Sequence, residues 1–425
     1  MAKRLFVLLT TFFILAGCRM GSNDAVSSTI TTLPPILSTS TTASIFTPTL
    51  LGTPTISPDA IRYQCLDVAD HPPSNYILKG TLIYNNDDNT DAFLWNNDIK
   101  KVYRFPREEG DRLLEFNVSP DQKHIVYLHS GKTKDQLVIA TADGQPIWSQ
   151  IISSYLWDWF DNERLIHLEV SENGTHALYL LNPLNGERQD LRADFPDSEM
   201  FSNDWYPNWR YLDGGLPVYD PMLTRVIYPE TDPTNKLGWP IILWDLGADH
   251  MVTRIMTMDN WGETPIWTPD GKQFIIALKI DPSDPYPPAN EFFAVSRDGE
   301  VSQLTHFMDY FQEINILDSY SLSPNGRLLA FWIIAQPSQY DDARLAVLNI
   351  ETGEVINYCI GGGPFMDNAT TPSEPIWSPD GTQLLVISRN PEDTNIRRVV
   401  LVDLVQEYAA QIGEDIKPVG WMVAP

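Results

Sequence analysis

The chain has 425 residues, with 29 Lys and Arg against 56 Asp and Glu, so its formal net charge at pH 7 is −27. Because binding to a phosphate backbone needs a basic face that displaces counterions, we expect no nucleic-acid partner. The hydrophobic share of 43% is sufficient for a core, which argues against disorder of the whole chain.

Residues 1–17 have the features of a signal peptide. Lys3 and Arg4 precede an apolar run over residues 5–16, and this run is too short to span a bilayer core of about 30 Å. Residues 15–18 read Leu-Ala-Gly-Cys and resemble the lipobox of bacterial lipoproteins. The resemblance implies cleavage before Cys18 and lipidation of its thiol, with diacylglycerol and palmitate as the lipid groups. An ordinary signal peptide with a chance cysteine is the alternative.

Residues 18–60 are predicted to be a tether. Serine, threonine and proline dominate the stretch, and Asp24 is the single charged residue between positions 22 and 58. Such a composition buries too little apolar surface to offset the entropy of ordering the chain. We therefore expect a flexible spacer that holds a globular domain away from the membrane.

From residue 61 onward the sequence repeats one pattern. An apolar strand leads into a turn of Ser/Thr-Pro-Asp/Asn-Gly type and then into a second β-rich run. Residues 266–271 read Ile-Trp-Thr-Pro-Asp-Gly and residues 376–381 read Ile-Trp-Ser-Pro-Asp-Gly, with further copies near residues 118 and 322 and weaker ones near 157 and 219. Pro presets φ, Asp bonds nearby amides and Gly accepts positive φ, so we interpret these aspartates as turn formers rather than catalysts.

Each repeat contains four predicted strands, which is typical of a propeller blade. We predict an all-β fold over residues 61–425, a seven-bladed β-propeller, with six and eight blades as alternatives. Residues 78–105 contain three strands of a blade without an innermost strand, and residues 419–423 supply a lone strand. The C-terminal strand is therefore predicted to close the ring, which removes free sheet edges.

These repeats resemble the TolB-type, WD40-like propeller repeat, which also occurs in prolyl-oligopeptidase-like enzymes. TolB is a periplasmic scaffold that binds envelope proteins. Together with the lipobox and the tether, the resemblance implies an extracytoplasmic, non-catalytic scaffold in the bacterial cell envelope, bound to the membrane by its lipid. Its partner would be an envelope or extracellular protein or peptide, with a glycan as a further candidate, and we expect a monomer without a cofactor.

An enzyme acting on polysaccharide or peptide through carboxylates near the propeller channel is the alternative function. The catalytic serine of the oligopeptidase-like enzymes lies in a separate hydrolase domain. This sequence contains no Gly-x-Ser-x-Gly elbow for such a nucleophile.

Cys65 and Cys359 are the two cysteines that remain in a compartment where disulfides form, and we predict that they are bonded to each other. Two buried free thiols are the alternative. We expect no metal site, because the histidines and cysteines show no ligand spacing. Asp87, Asn89 and Asp91 have the spacing of a calcium loop, but Ala92 stands where that loop needs glycine, so a solvated hairpin tip is the preferred interpretation.

Blade topology places the loops between second and third strands, and the connections between blades, on one face. These loops are longer than the turns of the other face and rich in acids and aromatics, which suits a basic or amphipathic partner or a stacked sugar. The candidate binding residues are Trp205, Trp261, Tyr310, Phe311, Phe365, Asp259, Asp309 and Asp367. Packing of these aromatics between blades is the alternative. We assign Trp267, Trp377 and Trp421 to the core, because they recur at equivalent strand positions.

Overall fold

The structure is a computed structural model of the chain. It describes residues 61–86, 92–95, 102–105, 110–131, 134–152, 157–170, 176–192, 195, 217–230, 240–255, 265–279, 290–311, 314–316, 319–334, 343–362, 373–389 and 397–423. The predicted signal peptide, Cys18 and the tether lie outside these residues. Within them, no helix is both long and apolar enough to cross a bilayer.

The described regular elements are β-strands, apart from one 3-10 helix at Phe307–Asp309, and this confirms the all-β class. The first described strands are β1 (Arg62–Tyr63) and β2 (Val68–Ala69). Sheet 1 follows with β3 (Thr81–Asn86), β4 (Ala92–Trp95) and β5 (Val102–Arg104), and sheet 2 with β6 (Arg112–Val118), β7 (His124–Ser130), β8 (Asp135–Thr141) and β9 (Pro146–Ile151). Sheet 3 contains β10 (Trp157–Trp159), β11 (Leu165–Val170), β12 (His176–Leu181) and β13 (Arg188–Asp190).

The remaining sheets follow in chain order. Sheet 4 contains β14 (Val218–Tyr219), β15 (Arg225–Pro229), β16 (Ile241–Asp245) and β17 (His250–Ile255). Sheet 5 contains β18 (Ile266–Trp267), β19 (Gln273–Leu278), β20 (Glu291–Ser296) and β21 (Val301–Gln303). Sheet 6 contains β22 (Asn315–Ile316), β23 (Ser321–Leu322), β24 (Leu328–Ile334), β25 (Arg344–Asn349) and β26 (Val355–Gly361). Sheet 7 contains β27 (Ile376–Trp377), β28 (Gln383–Arg389), β29 (Arg397–Asp403) and β30 (Tyr408–Glu414), and the last strand is β31 (Ile416–Met422).

The described strands form seven sheets, a number inside the range of six to eight that the repeat count left open. Consecutive strands of a sheet pair antiparallel, except in sheet 6, where β22 and β23 both pair antiparallel with β24. The strand β31 pairs antiparallel with β3, with Leu82 opposite Trp421. The C-terminal strand therefore completes the first sheet, as predicted.

Among the described residues, seven apolar clusters each join two neighbouring sheets. The cluster between the last sheet and the first contains Leu385 and Leu401 of sheet 7 together with Leu82 and Trp421 of sheet 1. Burial of apolar side chains therefore continues around the whole set of sheets without a gap, and the sheets form a closed propeller ring.

The turns after the innermost strands show why the repeated motif has its sequence. In sheet 5, the Thr268 hydroxyl donates to the Asp270 carboxylate at 2.8 Å, and Gly271 has a φ of 63°. In sheet 7, the Ser378 hydroxyl donates to the Asp380 carboxylate at 2.9 Å. Both carboxylates also accept the amide two residues later. These aspartates form turns, as the sequence predicted.

Tryptophans of the inner strands link neighbouring sheets. The Trp267 indole N–H donates to the Val218 carbonyl at 3.3 Å, and the Trp377 indole N–H donates to the Ser321 carbonyl at 3.1 Å. In each case the acceptor lies on the inner strand of the preceding sheet. Trp267, Trp377 and Trp421 are 8%, 5% and 1% exposed, which confirms their assignment to the core.

The N-terminal segment crosses the outer edges of two sheets before it enters sheet 1. The strand β1 pairs in parallel with β26 of sheet 6, and β2 pairs in parallel with β30 of sheet 7. Between these strands, Cys65 and Cys359 form a disulfide with their Cα atoms 4.8 Å apart. Cys359 has a φ of 61°, and its N–H donates to the Asn357 side chain at 2.8 Å. This local turn in β26 places the cysteine beside the N-terminal segment.

Candidate functional site

The structure describes three of the predicted binding-face residues, Asp309, Tyr310 and Phe311, and all three lie in the connection from sheet 5 to sheet 6. The other candidates lie outside the described residues: Trp205, Asp259, Trp261, Phe365 and Asp367. The candidate site is therefore built around residues 306–311, which we call the 306–311 segment.

Backbone hydrogen bonds give the 306–311 segment a defined turn. The N–H groups of Tyr310 and Phe311 both donate to the carbonyl oxygen of Phe307, at 3.0 and 2.9 Å. Phe307 is 1% exposed and packs into the apolar cluster between sheets 5 and 6. A turn with internal hydrogen bonds and a buried aromatic anchor has few alternative conformations, so the backbone that carries its exposed side chains is held in place.

Phe311 and Tyr310 have different environments although they are adjacent. Phe311 is half-buried and packs against the same cluster as Phe307, so the alternative of packing between blades applies to it. Tyr310 is 46% exposed. The carboxylate of Asp309 is also largely exposed and lies 3.8 Å from Nδ1 of His306. The segment thus has an exposed carboxylate and an exposed aromatic ring at consecutive positions.

A buried glutamate supports the segment from below. Glu291, at the start of β20, is fully buried. Its Oε1 accepts the Met308 N–H at 2.8 Å, and its Oε2 accepts the Thr305 hydroxyl at 2.5 Å. The Thr305 hydroxyl oxygen in turn accepts the Phe292 N–H at 2.9 Å. Because the same carboxylate holds groups on both sides of position 306, it ties the exposed turn to the strand beneath it.

Burial raises the pKa of the Glu291 carboxyl group, while the hydrogen bonds from Thr305 and the Met308 amide oppose that rise. Among the described carboxyl groups whose pKa is shifted, Glu291 is the one whose pKa is raised. Since both of its oxygens are bonded and no part of it is exposed, it acts as a support for the turn and does not reach solvent.

Sequence reasoning missed Glu291. A charged residue directly before the run Phe-Phe-Ala-Val of a buried strand is the signal that could have identified it. Charged side chains are seldom fully buried unless they are paired or hydrogen-bonded, so a glutamate at such a position predicts a polar network beneath a loop.

A surface depression of about 480 Å³ lies elsewhere, on sheet 3. Asp161, Glu163, Arg164 and Glu187 line part of it, in the turns that follow β10 and β12. The Arg164 Nε donates to Asp161 Oδ2 at 2.8 Å, which partly neutralises the acidic lining. Within the described part of the chain, no group of His, Cys, Asp and Glu could hold a metal ion. The residues of the candidate calcium loop, Asp87, Asn89 and Asp91, lie outside that part.

No family model and no curated protein matches the chain. Solved structures similar to it include TolB from Acinetobacter baumannii, with 16% identity over 82% of this chain and 68% of that chain and a TM-score of 0.38. They also include oligogalacturonate lyase from Vibrio parahaemolyticus, with 12% identity over 82% and 86% of the two chains and a TM-score of 0.49. The C-terminal WD40 domain of Sif2 shows 14% identity over 77% and 95% of the two chains and a TM-score of 0.42.

The similar structures therefore include both a TolB protein and a WD40 domain, the two kinds that the repeat motifs resemble. At identities this low the likeness concerns the fold alone. The propeller assignment of this chain follows from its own strand pairing and from the apolar clusters between its sheets.

Proposed function

We propose that this protein is a lipoprotein of the bacterial cell envelope, anchored through Cys18, whose β-propeller is a non-catalytic scaffold for a protein or peptide partner outside the cytoplasm. The lipobox resemblance at residues 15–18 and the tether rich in serine, threonine and proline support the anchor. The tether would give the propeller reach beyond the bilayer surface.

The observation that carries the proposal is the exposed Asp309–Tyr310 pair on a turn that the buried Glu291 holds in place. Binding residues commonly lie on loops that a rigid scaffold positions, because a side chain that is already ordered loses little entropy on binding. Tyr310 offers an exposed ring face, and the preceding residue, Asp309, offers an exposed negative charge. Lys and Arg side chains match both features, through cation–π and ionic contacts.

The overall charge favours the same class of partner. A net charge of −27 attracts basic segments over distances beyond contact and repels acidic ones. We therefore propose that the partner presents a basic or amphipathic segment to the 306–311 segment.

The anchor and the binding surface need separate tests. A Cys18→Ala variant of the full chain is expected to leave the membrane fraction; if it stays there, the anchor proposal fails. For binding, the full chain is used to capture partners from solubilised envelope of its host. Tyr310→Ala is expected to lose the partner that the unsubstituted protein retains, whereas Val405→Ala is expected to keep it. Val405 is a suitable control, because it is 73% exposed in a turn between β29 and β30.

A further inference from the structure

The side chain of Arg398 has no partner among the described residues. Its Nε is buried without a hydrogen bond, and its guanidinium forms no ion pair. The other partly buried arginines of the described chain have partners, as Arg225 has in Asp245 and Arg297 has in Asp220. Arg398 is therefore an exception among the partly buried arginines that the structure describes.

Strand alternation places the Arg398 side chain between sheets 6 and 7. The pairing of β28 with β29 is regular over its whole length, and the extra residue in the pairing of β29 with β30 belongs to β30. Side chains two positions apart on β29 therefore point to the same side, and Val400 and Val402 pack in the apolar cluster between sheets 6 and 7. Arg398 extends that row toward the end of β29 where the connection from β28 arrives. This end belongs to the propeller face that also carries Tyr310.

The described neighbours of Arg398 offer it no carboxylate. Ser388 lies opposite Arg398 on β28, and its hydroxyl donates to a backbone carbonyl of its own strand at 3.3 Å. Glu414 lies opposite on β30, but its carboxylate is exposed and accepts the side-chain amide of Gln411 at 2.8 Å. At the same end of sheet 6, the cluster contributes the apolar side chains of Ile334, Ala343 and Ile360.

An unpaired guanidinium in this position is costly for the free protein. Burial lowers the pKa of Arg398, and no charge of a described residue opposes that change. A buried donor without an acceptor costs free energy, so folded proteins seldom keep one unless a water, an ion or a ligand completes it. The planar fork of a guanidinium fits the two oxygens of a carboxylate, and apolar surroundings strengthen this contact because they screen charges less than water does.

We propose that Arg398 binds a carboxylate group of a peptide ligand, on the loop face between sheets 6 and 7. Nε and one Nη of the guanidinium each donate to one carboxylate oxygen. A peptide is favoured over an acidic sugar, because the largely apolar neighbours offer few groups for the hydroxyls of a sugar. A basic segment can supply such a carboxylate at its own C-terminus. The inference concerns a different part of this face from residues 306–311 and does not depend on the contact proposed there.

The first test follows the Arg398 Nε–H signal in NMR spectra of the isotope-labelled full chain carrying Cys18→Ser. The probe is N-acetylglycine, which ends in the carboxylate of a peptide, and N-acetylglycinamide is its neutral control. At constant ionic strength, N-acetylglycine is expected to shift the Nε–H signal and the backbone amide signals of β29 in a saturable way, because a hydrogen bond forms at Nε. N-acetylglycinamide and sodium chloride are expected to give no saturable shift.

Two substitutions separate binding from a structural role. Arg398→Lys keeps the charge but loses the fork, so the amide signals of β29 should report an affinity for N-acetylglycine that is about tenfold lower. Arg398→Met should abolish the saturable shift and leave the denaturation midpoint unchanged or higher, because it removes a buried charge that has no partner. Arg327→Lys is the matched control and should bind like the protein with Cys18→Ser alone. Arg327 is exposed in the turn between β23 and β24, on the opposite face.

Four results would overturn the inference. The first is the absence of a saturable shift with N-acetylglycine, which would leave water as the acceptor at Nε. The second is inorganic phosphate binding more tightly than N-acetylglycine, which would indicate an anion site of another kind. The third is glucuronate binding more tightly than N-acetylglycine, which would assign the site to an acidic sugar. The fourth is a clear loss of stability in Arg398→Met, which would show that the guanidinium has a structural partner.

Discussion

The carboxylate of Glu291 accepts the backbone N–H of Met308 at 2.8 Å and so connects the buried start of β20 to the exposed turn that carries Tyr310. The Thr305 hydroxyl bonds the other oxygen of the same carboxylate. This hydrogen bond matters for the proposed binding role of Tyr310, because Tyr310 has a fixed position only while the turn that carries it is held in place.

Removing this carboxylate is expected to affect both stability and binding. Glu291→Ala leaves the Met308 N–H and the Thr305 hydroxyl without their acceptor inside the protein, which should lower the free energy of unfolding by about 2–3 kcal/mol. Glu291→Gln keeps an acceptor for the Met308 N–H and should retain most of the stability. Chemical denaturation measures both changes, and partner capture by Glu291→Gln should stay close to that of the unsubstituted protein.

The raised pKa of Glu291 also predicts that the stability of the unsubstituted protein and that of Glu291→Gln depend differently on pH. Because the pKa of Glu291 is raised in the folded state, the folded protein keeps this proton at pH values where the unfolded chain has lost it. The contribution of Glu291 to stability is therefore full below pH about 4.5 and decreases as the pH rises through its folded-state pKa. Glu291→Gln should remove this decrease. A stability difference between the two proteins that does not change with pH would contradict the raised pKa.

Because His167 is buried and neutral, we expect the folded protein to lose stability in acid. Its ring is 5% exposed, and neither ring nitrogen has a hydrogen-bond partner among the described residues. Burial is the main cause that lowers its pKa from 6.5 to about 4; Arg188 also lowers it and Glu169 opposes the change. Stability should therefore fall as the pH decreases from about 6.5 to about 4, by up to about 3 kcal/mol at about 1.4 kcal/mol per pH unit.

The matched variants for this prediction are His167→Leu and His250→Gln. His167→Leu removes the group that must take up a proton on unfolding, so its stability should change less with pH over this range than that of the unsubstituted protein. His250 is exposed on β17 and serves as the control. If His167→Leu and the unsubstituted protein lose equal stability in acid, the buried neutral histidine is not the cause.

The repeat motifs predicted much of the fold because their chemistry is local. A Pro-Asp-Gly turn forms its hydrogen bonds within a few residues, as Asp270 does with Thr268, so its structure can be inferred from the sequence alone. The burial of Trp267 and Trp377 follows equally from their repeated position before that turn. Closure by the C-terminal strand was predictable from the incomplete first and last repeats.

Features that depend on distant contacts were harder to predict. Arg62 pairs with Ile356, and the short strands β1 and β2 have no periodicity that would identify them as edge strands. The candidate site shows the same limit. Aromatic composition singled out both Tyr310 and Phe311, but the burial of Phe311 depends on the cluster between sheets 5 and 6, which no local pattern predicts.

The disulfide between Cys65 and Cys359 is expected to stabilise the closed ring. It closes a loop of 294 residues, and in the chain-entropy model its loss should lower the free energy of unfolding by about 2–5 kcal/mol. The double variant Cys65→Ser and Cys359→Ser should also lose amide protection at β1 before the inner strands do. Hydrogen exchange measures this order, and equal protection of β1 with and without the disulfide would contradict it.

We expect that removing the cation of an ion pair between sheets 4 and 5 strongly lowers the stability of the protein. Asp220 is fully buried, and the Arg297 Nη1 donates to its carboxylate at 2.6 Å and to the Gly271 carbonyl at 2.8 Å. Because Arg297→Met leaves a buried carboxylate without its cation, we expect a loss of about 3 kcal/mol. Lys272→Met is the matched control, since the pair of Lys272 with Asp270 is exposed and the denaturation midpoint should stay unchanged.

We propose that the 306–311 segment contacts a partner outside the cytoplasm. Site-specific photo-cross-linking in living cells tests it most directly, with the photoreactive residue at position 310 in the full chain and at position 405 as the control. We predict a discrete adduct with one envelope or extracellular protein from position 310, lost when Glu291→Ala is added, and no such adduct from position 405. No adduct from position 310, or the same adduct from both positions, would contradict the claim.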